Sequence, residues 1–180
     1  MKKLYSIFLF ICVLSFSVLS LAETTAADNG TAAEIKASYG DYIADGTPLK
    51  MDSYTLQLDA EMSYSYNAYP DRFDLTIYPY TTSENGSFII ISSPVNMSVD
   101  DIVAELQADP ARTVGEPYET DLLKEKCIII DQTIDYDTVS QYIRIIYCES
   151  KQTIIQIYPD SETTIENMNT LLSFMLSWNN

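Results

Sequence analysis

The chain of 180 residues carries 26 acidic and 10 basic side chains, so its formal net charge at pH 7 is −16. This charge repels phosphate backbones and anionic lipid, which argues against nucleic acid and membrane surfaces as partners. Histidine is absent from the sequence. Its absence excludes Ser-His and Cys-His nucleophilic sites, histidine-ligated zinc and proton transfer by imidazole.

The first 22 residues have the organisation of a cleavable secretion signal. Lys2 and Lys3 form a short positive start, residues 4–19 are mostly apolar, and Ser20 and Ala22 occupy the small-residue positions that a signal peptidase reads. A transmembrane anchor is the alternative, but the apolar stretch is at the short limit for a span and no positive charges follow it. We therefore predict a secreted or envelope-associated protein of bacterial type, with no stable membrane insertion after cleavage.

Residues 23–46 are rich in alanine, threonine, aspartate and glycine and contain few large apolar side chains, which is typical of a flexible leader. Within the leader, Ile35, Tyr39, Tyr42 and Ile43 have the spacing of a short helical turn. The rest of the chain, residues 47–180, is long enough for a single domain with its own hydrophobic core.

Several segments have the patterns of strands. Apolar and polar residues alternate around Tyr54 and Leu56 and again around Leu75 and Ile77, as they do in half-buried strands. Four further segments are apolar on both strand faces, which indicates strands covered from above and below. These segments are residues 88–91, 127–130, 143–147 and 154–157. The last three follow one another through short connections, which requires antiparallel neighbours.

The sequence also predicts two helices. Ser98 provides a capping hydroxyl three residues before Asp101, and apolar residues follow at helical spacing, so the first helix covers residues 98–108. The second helix begins near residue 160 and is predicted to run to the C-terminus. Its buried stripe is expected to contain Ile165, Met168, Leu171, Leu172, Phe174, Met175 and Trp178.

These elements predict an α+β fold in which helices pack on the faces of a mainly antiparallel central sheet. The order of the elements, with Leu171-Leu172-Ser173-Phe174 near the end of the second helix, resembles the PsbP-like α/β/α sandwich superfamily, whose members often close with a similar Ser-Phe. The resemblance extends over residues 53–178 and implies a sheet between helical layers, a non-catalytic role in binding or assembly, and no site residue. If both helices lie on one face, the leader, the tyrosine-rich hairpin or a second copy of the chain must cover the other.

Two cysteines remain after removal of the signal, Cys127 and Cys148, in a compartment that permits a disulfide. If they face each other on neighbouring antiparallel strands, an apolar pair and an opposite-charge pair fall into the same register. The facing pairs are then Ile129 with Ile146, Asp131 with Arg144, and Thr133 with Tyr142. Facing residues are close enough for a disulfide to join them. The alternative is two reduced thiols packed side by side.

Tyrosine is frequent between residues 62 and 80. Tyr64 and Tyr66 share one strand face, Tyr78 and Tyr80 share another, and Tyr69 lies in the turn between the two strands. A ring that buries its apolar body while its hydroxyl stays in water is typical of surfaces that bind peptides and sugars. We predict that these five tyrosines bind a protein or a glycan surface. The alternative is that they are ordinary residues of a half-exposed sheet.

Carboxylates are the remaining candidates for chemistry. Asp131, Asp135 and Asp137 form the densest acidic group near a turn, but they lack the glycine-centred spacing of a calcium loop. We therefore predict no metal site and no cofactor, and keep a calcium-stabilised domain as an alternative. The predicted function is that of a non-catalytic binding or accessory protein, which forms a homodimer if a second copy covers the sheet. The alternative is a small carboxylate-dependent hydrolase acting on extracellular glycans.

Overall fold

The computed structural model describes residues 42–60, 62–79, 87–136, 139–159 and 164–179. The predicted signal peptide, the leader as far as residue 41, Tyr80 and Asp137 therefore lie outside the described residues. No helix within the described ranges is long and apolar enough to cross a membrane.

Strands make up most of the regular structure in these ranges. In chain order they are β1 (Tyr42–Ile43), β2 (Leu49–Lys50), β3 (Tyr54–Leu56), β4 (Ser63–Ala68), β5 (Phe73–Tyr78), β6 (Phe88–Ser93), β7 (Arg112–Val114), β8 (Tyr118–Thr120), β9 (Cys127–Tyr136), β10 (Val139–Cys148), β11 (Thr153–Tyr158) and β12 (Leu176–Trp178). The α-helices are α1 (Val99–Gln107) and α2 (Thr164–Met175). A short 3-10 helix, Glu149–Lys151, joins β10 to β11.

Nine of these strands form one antiparallel sheet in the order β1-β4-β5-β6-β11-β10-β9-β7, with β8 also paired to β9. The other three form a small sheet in the order β12-β3-β2. The predicted antiparallel order of the last three long strands is confirmed. The predicted register between β9 and β10 is also confirmed, with Ile129 opposite Ile146, Asp131 opposite Arg144, and Thr133 opposite Tyr142.

One face of the large sheet, which we call the core face, carries the main hydrophobic core. Ile91 and Ile146 point to this face and are fully buried. Met168 and Leu172 of α2 pack over them, together with Leu56 of the small sheet. Because each such side chain stabilises the fold by about 1.5–3 kcal/mol when buried, this face supplies much of the folding free energy.

Cys127 and Cys148 form a disulfide between the start of β9 and the end of β10. Their Cα atoms are 4.3 Å apart, and both residues are buried in the core cluster. The bond therefore joins two strands that are already paired along their length.

Helix α1 begins where the sequence predicts. The hydroxyl of Ser98 accepts a hydrogen bond from the backbone N–H of Asp101 (3.1 Å), and the Asp101 carboxylate accepts one from the backbone N–H of Ser98 (3.3 Å). These two bonds close a capping box. Ile102 and Leu106 are the buried residues of α1. Among the strands, its main contacts are with β7, at the edge of the large sheet.

The predicted α+β fold with helices packed on the faces of the sheet is wrong. Antiparallel sheet predominates among the described residues, of which 49% are in strands and 19% in helices. On the core face, α2 shares the cover with the small sheet, whereas α1 packs against the edge strand β7. The physical reason is that a strand with two apolar faces requires only that these faces be covered, and a second sheet can cover a face as well as a helix can.

The second helix is also shorter than predicted. α2 ends at Met175, and strand β12 begins at the next residue. In β12, Leu176 lies opposite Leu56 and Trp178 lies opposite Tyr54. Phe174, which was expected in the buried stripe, is 82% exposed. Apolar residues at the end of a helical pattern can equally face the core from a strand, and here pairing with β3 decides the outcome.

Candidate functional site: an aromatic strip at the sheet edge

Four aromatic side chains lie together at the edge of the large sheet formed by β1, β4 and β5. They are Tyr42, Tyr64, Tyr66 and Phe73, and we call them the aromatic strip. Tyr64 and Tyr66 are two residues apart on β4 and therefore share the core face. The register places Tyr42 opposite Tyr64, and Phe73 opposite Ala68, diagonal to Tyr66.

The four rings form one continuous stack. The ring centroids of Tyr42 and Tyr66 are 5.3 Å apart with 9° between their planes. The Tyr42–Tyr64 pair has 5.4 Å and 24°, and the Tyr66–Phe73 pair has 5.5 Å and 23°. Stacked pairs of this kind contribute about 0.5–1.5 kcal/mol each beyond their buried area. The Tyr42 hydroxyl also donates to the Tyr66 hydroxyl (3.4 Å), so the strip is held in place by its own contacts.

The aromatic strip extends from the core to the surface. Tyr64 and Phe73 are half-buried and pack against the core cluster. Tyr42 is 44% exposed and Tyr66 is 46% exposed. Because the exposed rings are supported by half-buried neighbours, a partner that contacts them pays little of the side-chain ordering that weakens most interfaces.

The turn between β4 and β5 carries a cation that contacts the ring of Tyr69. The backbone N–H of Tyr69 donates to the carbonyl of Arg72 (2.8 Å), and the guanidinium carbon of Arg72 lies 4.3 Å from the Tyr69 ring centroid. Arg72 Nε is 3.2 Å from Oδ1 of Asp74. Burial raises the pKa of Asp74, and the charge of Arg72 opposes that shift. Arg72 is therefore paired with a carboxylate.

The remaining predicted tyrosines do not join the strip. Tyr78 points to the opposite face of the sheet, where its ring centroid is 6.2 Å from that of Phe88. Phe88 stacks on Tyr158 at 4.3 Å, and both are buried. Tyr80 lies outside the described residues. Of the five predicted tyrosines, the structure therefore places three at one edge of the sheet, namely Tyr64, Tyr66 and Tyr69.

Two members of the strip are absent from the residues predicted to bind. The alternation of β5 puts Phe73 on the same face as Leu75 and Ile77, so a local signal for its position exists. Tyr42 has no such signal. The helical turn expected around it is wrong, because Tyr42 and Ile43 form strand β1, paired with β4.

A second cluster, on the core face, consists of polar side chains where β9 and β10 meet α2. Arg144 donates to both carboxylate oxygens of Asp131, from Nε to Oδ1 (2.7 Å) and from Nη2 to Oδ2 (3.0 Å). Its Nη1 donates to Oε1 of Glu166 (3.1 Å), and Nη2 also donates to the hydroxyl of Tyr142 (3.3 Å). The Tyr118 hydroxyl donates to Asp131 (3.3 Å). The guanidinium thus has partners on three sides.

The electrostatics of this second cluster are those of a structural ion pair. Partial burial of Asp131 acts to raise its pKa, but hydrogen bonds from Arg144 and Tyr142 outweigh it, and the pKa lies below its ordinary value. A carboxylate held ionised in this way is a poor proton donor. Asp135 and Asp137 are the other two aspartates of the calcium alternative. Asp135 accepts a hydrogen bond from Ser140, and Asp137 lies outside the described residues. Within the described ranges, no group of three or more acidic or cysteine side chains could hold a metal ion.

Comparison with known proteins identifies no relative: no protein-family model, curated protein or solved structure matches the chain. The resemblance to the PsbP-like superfamily therefore stays a prediction. The aromatic strip is the surface feature that the geometry of the chain singles out.

Proposed function

We propose that the chain is a secreted or envelope-associated, non-catalytic protein that binds a partner protein through the aromatic strip. The observation that carries the proposal is the continuous stack of four rings whose outer members, Tyr42 and Tyr66, are nearly half exposed. Tyrosine is enriched in protein interfaces because its ring supplies apolar area while its hydroxyl supplies a hydrogen bond. The location outside the cytoplasm rests on the sequence of residues 1–22.

A partner protein suits the strip better than a stacked sugar does. Each ring lies against a neighbour at 5.3 to 5.5 Å, so the ring faces on which a sugar would stack are largely occupied. Ring edges and the hydroxyl of Tyr66, which accepts from Tyr42 and can still donate, remain for contact. Edges and hydroxyls favour the mixed apolar and hydrogen-bonded contacts of protein surfaces. A glycan partner is the competing outcome of the test below.

A non-catalytic role is supported by the placement of the acidic side chains. A glycosidase needs a carboxyl of raised pKa facing a second carboxylate across the cleaved bond. Burial raises the pKa of Asp74 on β5 and that of Glu105 on α1, but Asp74 is paired with Arg72. Asp131 on β9 is held ionised by Arg144. We therefore propose no hydrolase activity for these residues.

The test compares wild type with the double variant Tyr42→Ala, Tyr66→Ala as immobilised baits for proteins from the native secretion environment. We expect the double variant to bind the partner retained by wild type at least about a hundredfold more weakly, because truncation of an aromatic anchor at an interface centre costs about 2 kcal/mol, or about thirtyfold, at each position. Tyr136→Ala is the matched control, since Tyr136 is also an exposed tyrosine (39%) but lies at the far end of β9. It should leave binding unchanged.

Three results would contradict the proposal. Equal retention by wild type and the double variant would place binding elsewhere on the surface. Binding of purified polysaccharides that depends on Tyr42 and Tyr66 would make the partner a glycan. Self-association that is lost in the double variant would make the partner a second copy of the chain. Circular dichroism of each variant establishes that the fold is retained.

A further inference from the structure

Tyr42 and Tyr66, the exposed members of the aromatic strip, hold their hydroxyl groups next to each other. The Tyr42 hydroxyl donates to the Tyr66 hydroxyl, with 3.4 Å between the two oxygens. The planes of the two rings are within 9° of parallel. Two stacked phenol rings whose hydroxyls are in contact also bring together the ring carbons beside each hydroxyl, the ortho carbons. The pair therefore has the arrangement from which two phenols can be joined.

Both phenols are open to reagents in solution, since Tyr42 and Tyr66 are each nearly half exposed. Exposure matters because an oxidant must reach a ring before it can take an electron from it. The disulfide between Cys127 and Cys148 is a bond that forms and persists in oxidising compartments. A compartment of that kind is also where a surface phenol meets an oxidant.

We propose that Tyr42 and Tyr66 are a site of oxidative cross-linking, at which hydrogen peroxide and a peroxidase join the two rings as dityrosine and thereby tie β1 to β4. Each phenol loses one electron and one proton, so that two phenoxyl radicals form. The radicals couple through a bond between one ortho carbon of each ring. The hydrogen atoms on those carbons then move to the phenol oxygens, which restores both aromatic rings. The two electrons and two protons reduce one molecule of peroxide to two molecules of water.

Coupling within one chain is favoured over coupling between chains. The paired strands β1 and β4 already hold the two rings in contact, so their radicals need not meet by diffusion. The formal net charge of −16 also makes separate copies repel each other. The expected product is therefore a monomer that has lost two hydrogen atoms. This inference does not depend on the proposed binding partner.

Tyr64 is the competing partner for Tyr42. Tyr64 lies directly opposite Tyr42 in the pairing of β1 with β4, and the two ring centroids are 5.4 Å apart with 24° between their planes. Two observations select Tyr66 instead: its hydroxyl contacts that of Tyr42, and it is exposed whereas Tyr64 is half-buried. Because Tyr42 belongs to both pairs, variants of Tyr64 and Tyr66 distinguish them.

The experiment treats the secreted chain at low concentration with a peroxidase and hydrogen peroxide, and then digests the product with trypsin. Trypsin cuts after Lys36, Lys50 and Arg72, so the cross-link should join peptide 37–50 to peptide 51–72. Dityrosine fluorescence and an intact mass lower by two hydrogen atoms detect the reaction, and fragmentation of the joined peptides identifies the tyrosines. Dityrosine found only in covalent dimers, no dityrosine, or joined peptides that do not involve Tyr42 would overturn the inference.

Phenylalanine variants keep each ring in the strip and remove its hydroxyl, without which no phenoxyl radical forms. Tyr42→Phe and Tyr66→Phe should each abolish the dityrosine of the monomer, whereas Tyr64→Phe should retain it. Tyr136→Phe is the matched control, because Tyr136 is also exposed but four strands lie between β4 and its own strand β9. It should retain the product as well. Dityrosine that persists in the Tyr66→Phe monomer would overturn the inference, whichever tyrosine takes part instead.

Amide hydrogen exchange tests whether the cross-link ties β1 to β4. The backbone N–H of Ala44, just after β1, donates to the carbonyl of Met62, just before β4 (2.8 Å). A strand of two residues at the edge of a sheet opens readily, and a covalent bond that closes the loop between the strands opposes this opening. The Ala44 amide should therefore exchange more slowly in the cross-linked monomer than in the untreated chain. Equal or faster exchange would overturn the inferred tie between the two strands.

Discussion

Arg144 and Asp131 lie directly opposite each other on β10 and β9 and form an ion pair through two nitrogens and two oxygens. The side chain of Arg144 is 10% exposed and that of Asp131 is 27% exposed. Removal of one partner therefore leaves a partly buried charge without its counterion, which is costly.

We expect Arg144→Met to lower the free energy of unfolding by about 2 kcal/mol, below the range for a fully buried pair because Asp131 retains contact with water. Lys126→Met is the control, since Lys126 pairs with Glu119 at 2.7 Å but both side chains are exposed, and it should change stability by less than about 0.5 kcal/mol. Urea denaturation measures both. Equal effects of the two substitutions would contradict a structural role for the Arg144 pair.

The same pair predicts a loss of stability in acid. Burial acts to raise the pKa of Asp131, but hydrogen bonds from Arg144 and Tyr142 prevail, so its folded pKa lies below the unfolded value. The unfolded chain therefore takes up this proton first as the pH falls. The contribution of Asp131 is complete above the ordinary aspartate pKa of about 3.9 and is lost as the pH falls through the lower folded pKa.

Accordingly, the difference in unfolding free energy between wild type and Asp131→Asn should be constant from about pH 7 to about pH 5 and should shrink below about pH 4. Urea titrations of both proteins across this pH range measure the difference. The effects of carboxyl groups that both proteins share largely cancel in it. A difference that grows as the pH falls would show that the folded pKa of Asp131 is raised instead.

The disulfide between Cys127 and Cys148 closes a loop with a sequence separation of 21. We expect the double variant Cys127→Ala, Cys148→Ala to be about 3 kcal/mol less stable, chiefly because its unfolded chain has more freedom. Reductant should lower the urea midpoint of wild type toward that of the variant and leave the variant unaffected. A wild-type midpoint that does not respond to reductant under unfolding conditions would contradict the prediction.

Two tyrosines offer a matched test of buried hydroxyl groups. Tyr54 and Tyr147 are each 1% exposed. The Tyr147 hydroxyl donates to the carbonyl of Met97, whereas that of Tyr54 has no hydrogen-bond partner among the described residues. We expect Tyr147→Phe to cost about 1 kcal/mol and Tyr54→Phe to be neutral or stabilising by about 1 kcal/mol, because an unpaired buried hydroxyl is itself unfavourable.

Thermal and urea unfolding of these two variants, which differ from wild type by one oxygen each, measure the effect. Equal destabilisation by both substitutions would indicate that the Tyr54 hydroxyl has a partner in solution.

Local sequence patterns were sufficient for β9 and β10. The apolar segments 127–130 and 143–147 lie within them, and a shift of one residue would turn Ile129 and Ile146 away from the core and separate Asp131 from Arg144. The start of α1 was equally predictable, because a capping box is made by residues three apart.

Local patterns were insufficient for the aromatic strip. Its two β4 tyrosines follow from strand alternation, but Tyr42 reaches them through the pairing of β1 with β4. The end of the chain has the same difficulty: Leu176 and Trp178 continue the apolar pattern of α2, and their strand conformation depends on β3.

The sequence by itself determined the acidic charge, the lack of histidine chemistry, most strands and the register around the two cysteines, because these depend on composition or on neighbours along the chain. Only the tertiary structure decided that a small sheet shares the cover of the core with α2, and that Tyr78 is separated from Tyr64 and Tyr66. These features depend on which distant strands pair. Pairing uses backbone hydrogen bonds that nearly every residue type can form, so the local sequence does not specify it.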